Sequence, residues 1–386
     1  MDATLTLDGA WQGAARQRRS TRLAFLLAGI AMAAWAPLVP FAKARLGVDD
    51  GTLGLLLLCL GFGSIAAMPV TGVLATRFGC RVVIATGGVL ACLALPLLAL
   101  AGSVPLLALS LVLFGASVGT VDVTMNIQAV LVEKSGGRAL MSGFHGLFSL
   151  GGILGAGGVS LLLGLGASPL VCMLVVAALG LGLLLAAYPD LLPHGGEEGR
   201  DGPWLVLPRG LVILIGGLCF VVFLGEGAVL DWSAVFLANQ RGVDPAQAGL
   251  GYAAFALAMT AGRLGGDRIV QALGGQRVLA LGGLLTALGF AIVVLAPWSA
   301  AAYLGFLLVG IGASNLVPVL FSAAARQGSM PAGLAISAIS TMGYVGILAG
   351  PALIGFAAGL VGLGTAFLGL ALALAGVAAS YRIAAR

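Results

Sequence analysis

Apolar runs of roughly 20 residues follow one another from Leu23 to the C-terminus, separated by short turns rich in Gly, Pro and Arg. Each run is long enough to cross a hydrocarbon core of about 30 Å as a helix. The pattern predicts twelve spans, at approximately 22–46, 52–75, 81–101, 104–133, 139–165, 167–188, 211–239, 245–266, 277–296, 300–325, 332–360 and 363–382.

Composition narrows the class without changing it. Of 386 residues, 60% are hydrophobic and 9% charged, 62 are glycine, and the mean hydropathy is +1.12, which no soluble globular chain matches. The fold class is therefore an all-α polytopic membrane protein with lipid as its surroundings. An even number of spans puts both termini on one side. Arg16, Arg18, Arg19, Arg22, Arg77, Arg81, Lys134, Arg138, Arg200, Arg209, Arg263, Arg268, Arg277, Arg326, Arg382 and Arg386 fall on that side, and only Lys43, Arg45 and Arg241 on the other. That imbalance predicts cytoplasmic termini. The net charge of +5 thus reflects topology, and no solvated domain exists to carry a nucleic-acid patch. Five scattered cysteines without CxxC spacing read as packing residues, with neither a disulfide nor a metal site. The basic N-terminus followed by an apolar run imitates a signal peptide. The first span nevertheless has a counterpart later in the chain, so it reads as retained.

That counterpart belongs to an internal repeat. Arg45-Leu46-Gly47-Val48-Asp49 recurs about 195 residues on as Gln240-Arg241-Gly242-Val243-Asp244, and Trp35 recurs as Trp232. Gly115-Ala116-Ser117 returns as Gly312-Ala313-Ser314, and Gly79-Cys80-Arg81-Val82 resembles Gly275-Gln276-Arg277-Val278. Six spans are followed by six of the same orientation, the plan of two bundles about a pseudo-two-fold axis along the membrane normal, whose rocking exposes a midplane site to each side in turn. The predicted organisation is a cytoplasmic N-terminal segment (1–20) read as loosely ordered, a six-helix bundle (21–188), a polar cytoplasmic linker (189–210) and a second six-helix bundle (211–386).

Against this apolar background the polar residues stand out. Asp122 and Asn126 lie four apart in span four, and Ser142, His145 and Ser149 fall at helical spacing in span five. Counting outward from the turn between those spans puts Asn126 at the depth of His145, and Asp122 at that of Ser149. Three acids lie within spans: Asp122, Glu226 and Asp231. A carboxylate at the bilayer centre costs about 2.5–3.5 kcal/mol on the mildest scale, so such groups face a cavity or a partner. Asp122 near His145 could load and release a proton near neutral pH; tying two helices together is the structural alternative. Asp231 could equally anchor the outer end of its helix. In the second half Ser337, Ser340, Thr341 and Tyr344 form a polar stripe, and Asn315 precedes Pro318 at a helix irregularity. Trp35 and Trp232 lie well inside spans. Paired aromatics with amides and hydroxyls suit a ring-shaped polar solute, by stacking and hydrogen bonding, and suit core packing as well. His145 has no second ligand at metal spacing, and no nucleophile–base pair or cofactor motif emerges, so the chain reads as neither a metalloprotein nor an enzyme.

The loop Gly72-Val73-Leu74-Ala75-Thr76-Arg77-Phe78-Gly79-Cys80-Arg81 resembles the G-x-L-A-D-R-x-G-R-K signature of the major facilitator superfamily, departing from it at Thr76 and Cys80. With the twelve spans and the repeat, the resemblance covers the whole chain and implies the major facilitator fold. It implies a cytoplasmic gate at Gly72, Arg77, Gly79 and Arg81 in the first half and at Asp267 and Arg268 in the second. With Thr76 in place of the family's Asp, the first-half gate is expected to be the weaker. The family's basic residue in span four is missing. The runs DVTMNIQAVLVEK with GFHGLFSLGG, and EGAVLDWSAVFL with GYVGILAGPALIG, resemble the YbjJ/MosC-like branch, which implies a solute carrier of a bacterial inner membrane. Span five lacks the G-P-x-x-G-G of drug antiporters.

The resulting expectation is a monomeric secondary transporter coupled to protons, moving a small sugar- or polyol-like solute without a cofactor. Asp122, His145, Glu226 and Asp231 are the expected proton-linked groups. Trp35, Asn126, Ser149, Trp232, Asn315, Ser340 and Tyr344 are the expected solute-binding groups. The alternatives are an efflux antiporter and a non-transporting membrane receptor or scaffold.

Overall fold

The computed structural model describes residues 3–196 and 207–385; the middle of the linker, with Arg200, and Arg386 lie outside them. Among the described residues all regular structure is helical: α1 (Ala3–Ala34), α2 (Val39–Leu46), α3 (Asp50–Leu100), α4 (Val104–Gly136), α5 (Met141–Gly164), α6 (Pro169–Ala187), α7 (Leu211–Arg241), α8 (Pro245–Ala248), α9 (Leu250–Leu273), α10 (Gly275–Leu295), α11 (Ser299–Ala313), α12 (Leu316–Arg326), α13 (Ala332–Val361) and α14 (Leu363–Ala379). Ten described helices or joined helices are long and apolar enough to cross a membrane. One of them contains α3, whose 51 residues hold predicted spans two and three on either side of a sharp bend at Gly79 (φ 83°, ψ 156°), a backbone conformation open to glycine. The eighth predicted span is α9, long enough but carrying Arg263, Asp267 and Arg268, and therefore outside that set of ten. Every predicted span is thus occupied by helix.

One expectation fails at the N-terminus. The first 20 residues were expected to be loose, but α1 begins at Ala3 and carries that polar stretch into the first span without a break. Ala, Leu, Gln and Arg dominate it, all good helix formers, and no proline interrupts it.

The helices cluster into two compact units. The first comprises Met1–Arg138, Leu147–Leu207 and Pro331–Ser337; the second comprises Ala139–Gly146, Pro208–Met330 and Ala338–Arg386. In the first unit, Trp35, Leu38, Leu95, Leu98, Phe114 and Met173 share one buried core. Small residues bring α3 and α4 together: Gly63 abuts the Val112 carbonyl, Gly115 abuts that of Leu60, and Ser64 Oγ donates to the Gly115 carbonyl at 2.8 Å. In the second unit the stacked rings of Phe236 and Phe367 (5.4 Å) and the edge of Phe290 build the equivalent core.

Each unit also has an arginine that fastens the end of its first helix to the end of its third. Span one breaks after Ala34 into a 3-10 turn, where Pro37 and Pro40 interrupt the ladder, and continues as α2. Near the end of α2, Arg45 donates from Nη1 to the Ala99 carbonyl (2.6 Å), from Nη2 to that of Leu98 (2.8 Å) and from Nε to that of Ala101 (2.9 Å). These carbonyls belong to the last turn and the C-cap of α3, where a cation is also favoured by the helix dipole. In the second unit Arg241 Nη2 donates to Val293 and Val294 at the end of α10 (2.8 and 2.7 Å), with its guanidinium 4.9 Å above the Phe236 ring. Beyond α2, Asp49 caps α3 by accepting from the Thr52 N–H at 2.7 Å, which holds its carboxyl below the usual carboxylate range.

Candidate functional site

In the first unit the polar groups gather along α4. Asn126 is buried, and its Nδ2 donates to the backbone carbonyl of Asp122, one turn back, at 2.9 Å. Asp122 and Ser149 are half-buried. Two residues beyond Asn126 stands Gln128, fully buried and passed over in the sequence. Its Nε2 donates to Thr21 Oγ1 on α1 at 3.0 Å, and its Oε1 accepts from the Leu192 N–H at 3.0 Å. An amide inside an apolar span was the signal that could have found it. Trp35 is also buried, within the apolar core described above, and its indole N–H has no hydrogen-bond partner among the described groups.

The loop that resembled a gate signature binds the start of the linker. Arg81 accounts for three contacts: its N–H donates to the Leu192 carbonyl (2.8 Å), its Nε to that of Leu191 (2.9 Å) and its Nη2 to that of Pro189 (2.7 Å). The same guanidinium lies 5.7 Å above the Tyr188 ring. The Pro193 carbonyl sits so close to Gly79 that a Cβ there would overlap it. Gly72 packs against Ser337, whose Oγ donates to the Met68 carbonyl at 2.6 Å. Arg77 is half-buried, and Thr76 Oγ1 donates back to the carbonyl of Gly72 at 3.0 Å.

In the second unit the counterpart position keeps its acid. Asp267 Oδ1 accepts from the Gly143 N–H at 2.9 Å, in the first turn of α5, where unpaired N–H groups and the helix dipole favour a carboxylate. Gln271 Nε2 adds a bond to the Ala139 carbonyl at 3.0 Å. Arg268 points outward and is exposed. His145, buried in this unit, presents its ring edge-on to Phe321 at 5.8 Å.

The centre of the second unit holds a charge pair. Arg263 was counted in the sequence with the cytoplasmic basic residues, but α9 buries it to 7% exposure. Its Nη2 lies 3.3 Å from Glu226 Oε1 and 3.5 Å from Oε2, on α7. Its Nε donates to the Ser314 carbonyl at 3.3 Å. The availability of that carbonyl follows from sequence: in an unbroken helix it would accept from the N–H of residue 318, which is proline and has none. The predicted irregularity there is the gap between α11 and α12. Asn315 sits in the gap, its Nδ2 donating to Ser314 Oγ (2.9 Å) and to the Gly262 carbonyl (3.2 Å), and its Oδ1 pressed against Gly266 without a hydrogen-bond partner.

Other sequence candidates are spread around this centre. Asp231 is exposed. Trp232 is half-buried beside Gly355, and its N–H and the buried hydroxyls of Ser233 and Ser340 lack protein partners among the described groups. Tyr344 is half-buried. Among the described residues no three His, Cys, Asp or Glu side chains gather as a metal site would require.

Two similar helical units, each with an acid inside its spans, make the comparison with known proteins decisive. A family model described as Major Facilitator Superfamily matches residues 22–351. The chain belongs to that superfamily. An uncharacterized MFS-type transporter of Yersinia pestis is 58% identical over 370 residues, covering 96% of each chain. The membrane protein MosC of Rhizobium meliloti is 33% identical over 343 residues, covering 88% of this chain and 83% of that one. Among solved structures, the E. coli fucose:proton symporter FucP matches with a TM-score of 0.79 at 18% identity, over 96% of this chain and 98% of that chain. The human organic anion transporter MFSD10 matches with a TM-score of 0.73 at 19% identity, over 95% and 99%. The fold is thus that of MFS transporters.

Proposed function

We propose that the protein is a secondary active transporter that moves a small polar solute, hydroxylated like a sugar or polyol, across a bacterial inner membrane by alternating access, with both termini cytoplasmic and the monomer as working unit. The observation that carries the reading is the half-buried acid within a span of each unit of an MFS fold, Asp122 in the first and Glu226 in the second. Carboxylates in apolar spans are costly and are kept where they bind ions, protons or solutes. Proton coupling is assigned to Asp122 and Glu226, with His145 and Asp231 as nearby titratable groups. The unpartnered polar atoms of Trp35, Trp232 and Ser340, with Asn126, Ser149, Asn315 and Tyr344, supply the hydrogen bonding and stacking a hydroxylated solute would use. That FucP is a fucose:proton symporter lends support to both solute and coupling ion. Asp267 on the first turn of α5 acts as a gate contact, released in each cycle.

The test is uptake into proteoliposomes under an imposed pH gradient, screened over sugars, polyols and organic acids. The wild type should concentrate at least one solute when the gradient points inward, and Asp122→Asn should abolish the gradient's effect. Gradient-driven accumulation that survives the substitution would remove Asp122 from the mechanism.

A further inference from the structure

Arg263 is the buried cation of the second unit, and its surroundings hold it in a way that suits exchange of partners. On one side the neutral Ser314 carbonyl, left without its helical donor by Pro318, fixes Nε. On the other, Nη2 faces Glu226 at 3.3 and 3.5 Å, longer than the 2.7–2.9 Å usual for a charge-assisted bond. The guanidinium is therefore oriented by a group that cannot leave and neutralised by one that it grips loosely. A guanidinium is permanently charged and reads carboxylates through two parallel N–H groups.

We infer that Arg263 is the recognition group for an anionic solute, a hydroxylated monocarboxylate, whose carboxylate takes the place of that of Glu226 while Glu226 accepts a proton from the aqueous side. This rests on the transport reading and narrows its solute to acids of the sugar or polyol kind. The bookkeeping of charge argues for it. A neutral solute leaves the Arg263–Glu226 pair intact and gives Glu226 no reason to bind a proton. An arriving carboxylate instead puts two acids on one guanidinium in a poorly solvated place, where both do not stay ionised. One proton is then bound with each anion, only the O–H bond on Glu226 is formed, and the loaded site is electrically unchanged. By linkage the proton and the anion raise each other's affinity by the same factor, so affinity for the acid rises as pH falls, by up to tenfold per unit where one proton is bound per anion.

The other titratable and charged groups on the elements about this pair are Cys219, Asp231 and Arg241 on α7 itself, Tyr252, Asp267 and Arg268 on α9, His145 on the first turns of α5, and Tyr344 on α13. Among the helices that pack around them, α11 brings Tyr303, α12 only Arg326 in its last turn, and α14 no titratable side chain.

Rescue by an added anion tests the exchange directly. In Glu226→Ala the guanidinium keeps its orientation and gains room for a small carboxylate. Acetate in the millimolar range should raise the melting temperature of the full-length variant in nanodiscs by several degrees at pH 7, acetamide should not, and the double variant Glu226→Ala/Arg263→Gln should be indifferent to both. Glu226→Gln, which keeps the side-chain volume, supplies the same comparison should the alanine variant not fold. Equal responses to acetate and acetamide, or a response that survives Arg263→Gln, would overturn the inference. Proteoliposome uptake is read separately. Rescue without movement of any solute would fail the transport reading and leave the anion site standing. Movement of a neutral polyol without rescue would do the reverse.

Discussion

Replacing Gln128 with leucine isolates the strap that binds the start of the linker to the first unit. The substitution keeps bulk in a fully buried position but removes one acceptor and one donor. The Leu192 N–H, now paired at 3.0 Å, would lie unpaired at a residue that is 6% exposed, at a cost of about 1–3 kcal/mol. Thr21 loses less: its hydroxyl still donates to the Gln17 carbonyl at 2.7 Å, so only an incoming bond disappears, worth about 1 kcal/mol. The bonds from Arg81 to Pro189, Leu191 and Leu192 remain. Local opening of the strap should therefore become easier by about 2–4 kcal/mol, which speeds amide exchange there by roughly 30- to 1,000-fold. Hydrogen–deuterium exchange read on a peptide covering 188–196, with the protein in lipid nanodiscs, measures this. Thr21→Val serves as control, since it removes the threonine partner while the Leu192 N–H keeps its acceptor, and should move that peptide by less than tenfold. Exchange in Gln128→Leu within threefold of the wild type would refute the assignment of Gln128 to the strap.

Substitutions at three further contacts probe the rest of the structure. Arg45→Ala removes three donors from the end of α3 and should cost about 2–3 kcal/mol in denaturant unfolding from mixed micelles; the partly exposed setting keeps the figure low, and Arg45→Lys should recover less than half, because an ammonium cannot span carbonyls laid out for a fork. Arg263→Gln alone should cost about 3–5 kcal/mol in the same assay by stranding Glu226, whereas Glu226→Leu with Arg263→Met should lie close to wild type; a double variant as unstable as the sum of its singles would show that the pair is not one unit. Asp267→Asn should weaken the cap on α5 by about 1–2 kcal/mol. Gly143→Ala should act on that same contact, since the new Cβ would meet the Asp267 carboxylate, so thermal shifts for the two changes together should fall short of their sum.

The helices were legible because lipid-spanning segments write themselves as long unbroken apolar runs, and the 195-residue repeat was legible because duplicated turns keep their Gly and Asp. The polar interior was less so. Asp122 and Glu226 stand out by type alone, but nothing in a one-dimensional reading tells an arginine at the edge of a span from one folded inward, and Arg263 was assigned to the cytoplasmic edge for that reason. Its position inside predicted span eight was the available clue. Gln128 was missed because its partners, Thr21 and Leu192, lie 107 and 64 residues away, a pairing that periodicity cannot reveal. The departure at Thr76 was visible, and the structure gives it meaning: that hydroxyl bonds its own helix, while Asp267 in the second repeat reaches the first turn of α5.

The strap also fixes how long the leash between the repeats is. Chain up to Gly195, whose Cα lies against the Ala75 carbonyl, is fastened to the first unit, and chain from Arg209, bonded to Ser329 and Met330, is fastened to the second. Between those two anchors, residues 196–208 can reach at most roughly 45 Å when fully extended. A cut placed in that stretch leaves the Gly195 mooring on one piece and the Arg209 mooring on the other, so two separately expressed halves divided there should reassemble in the membrane as a split carrier.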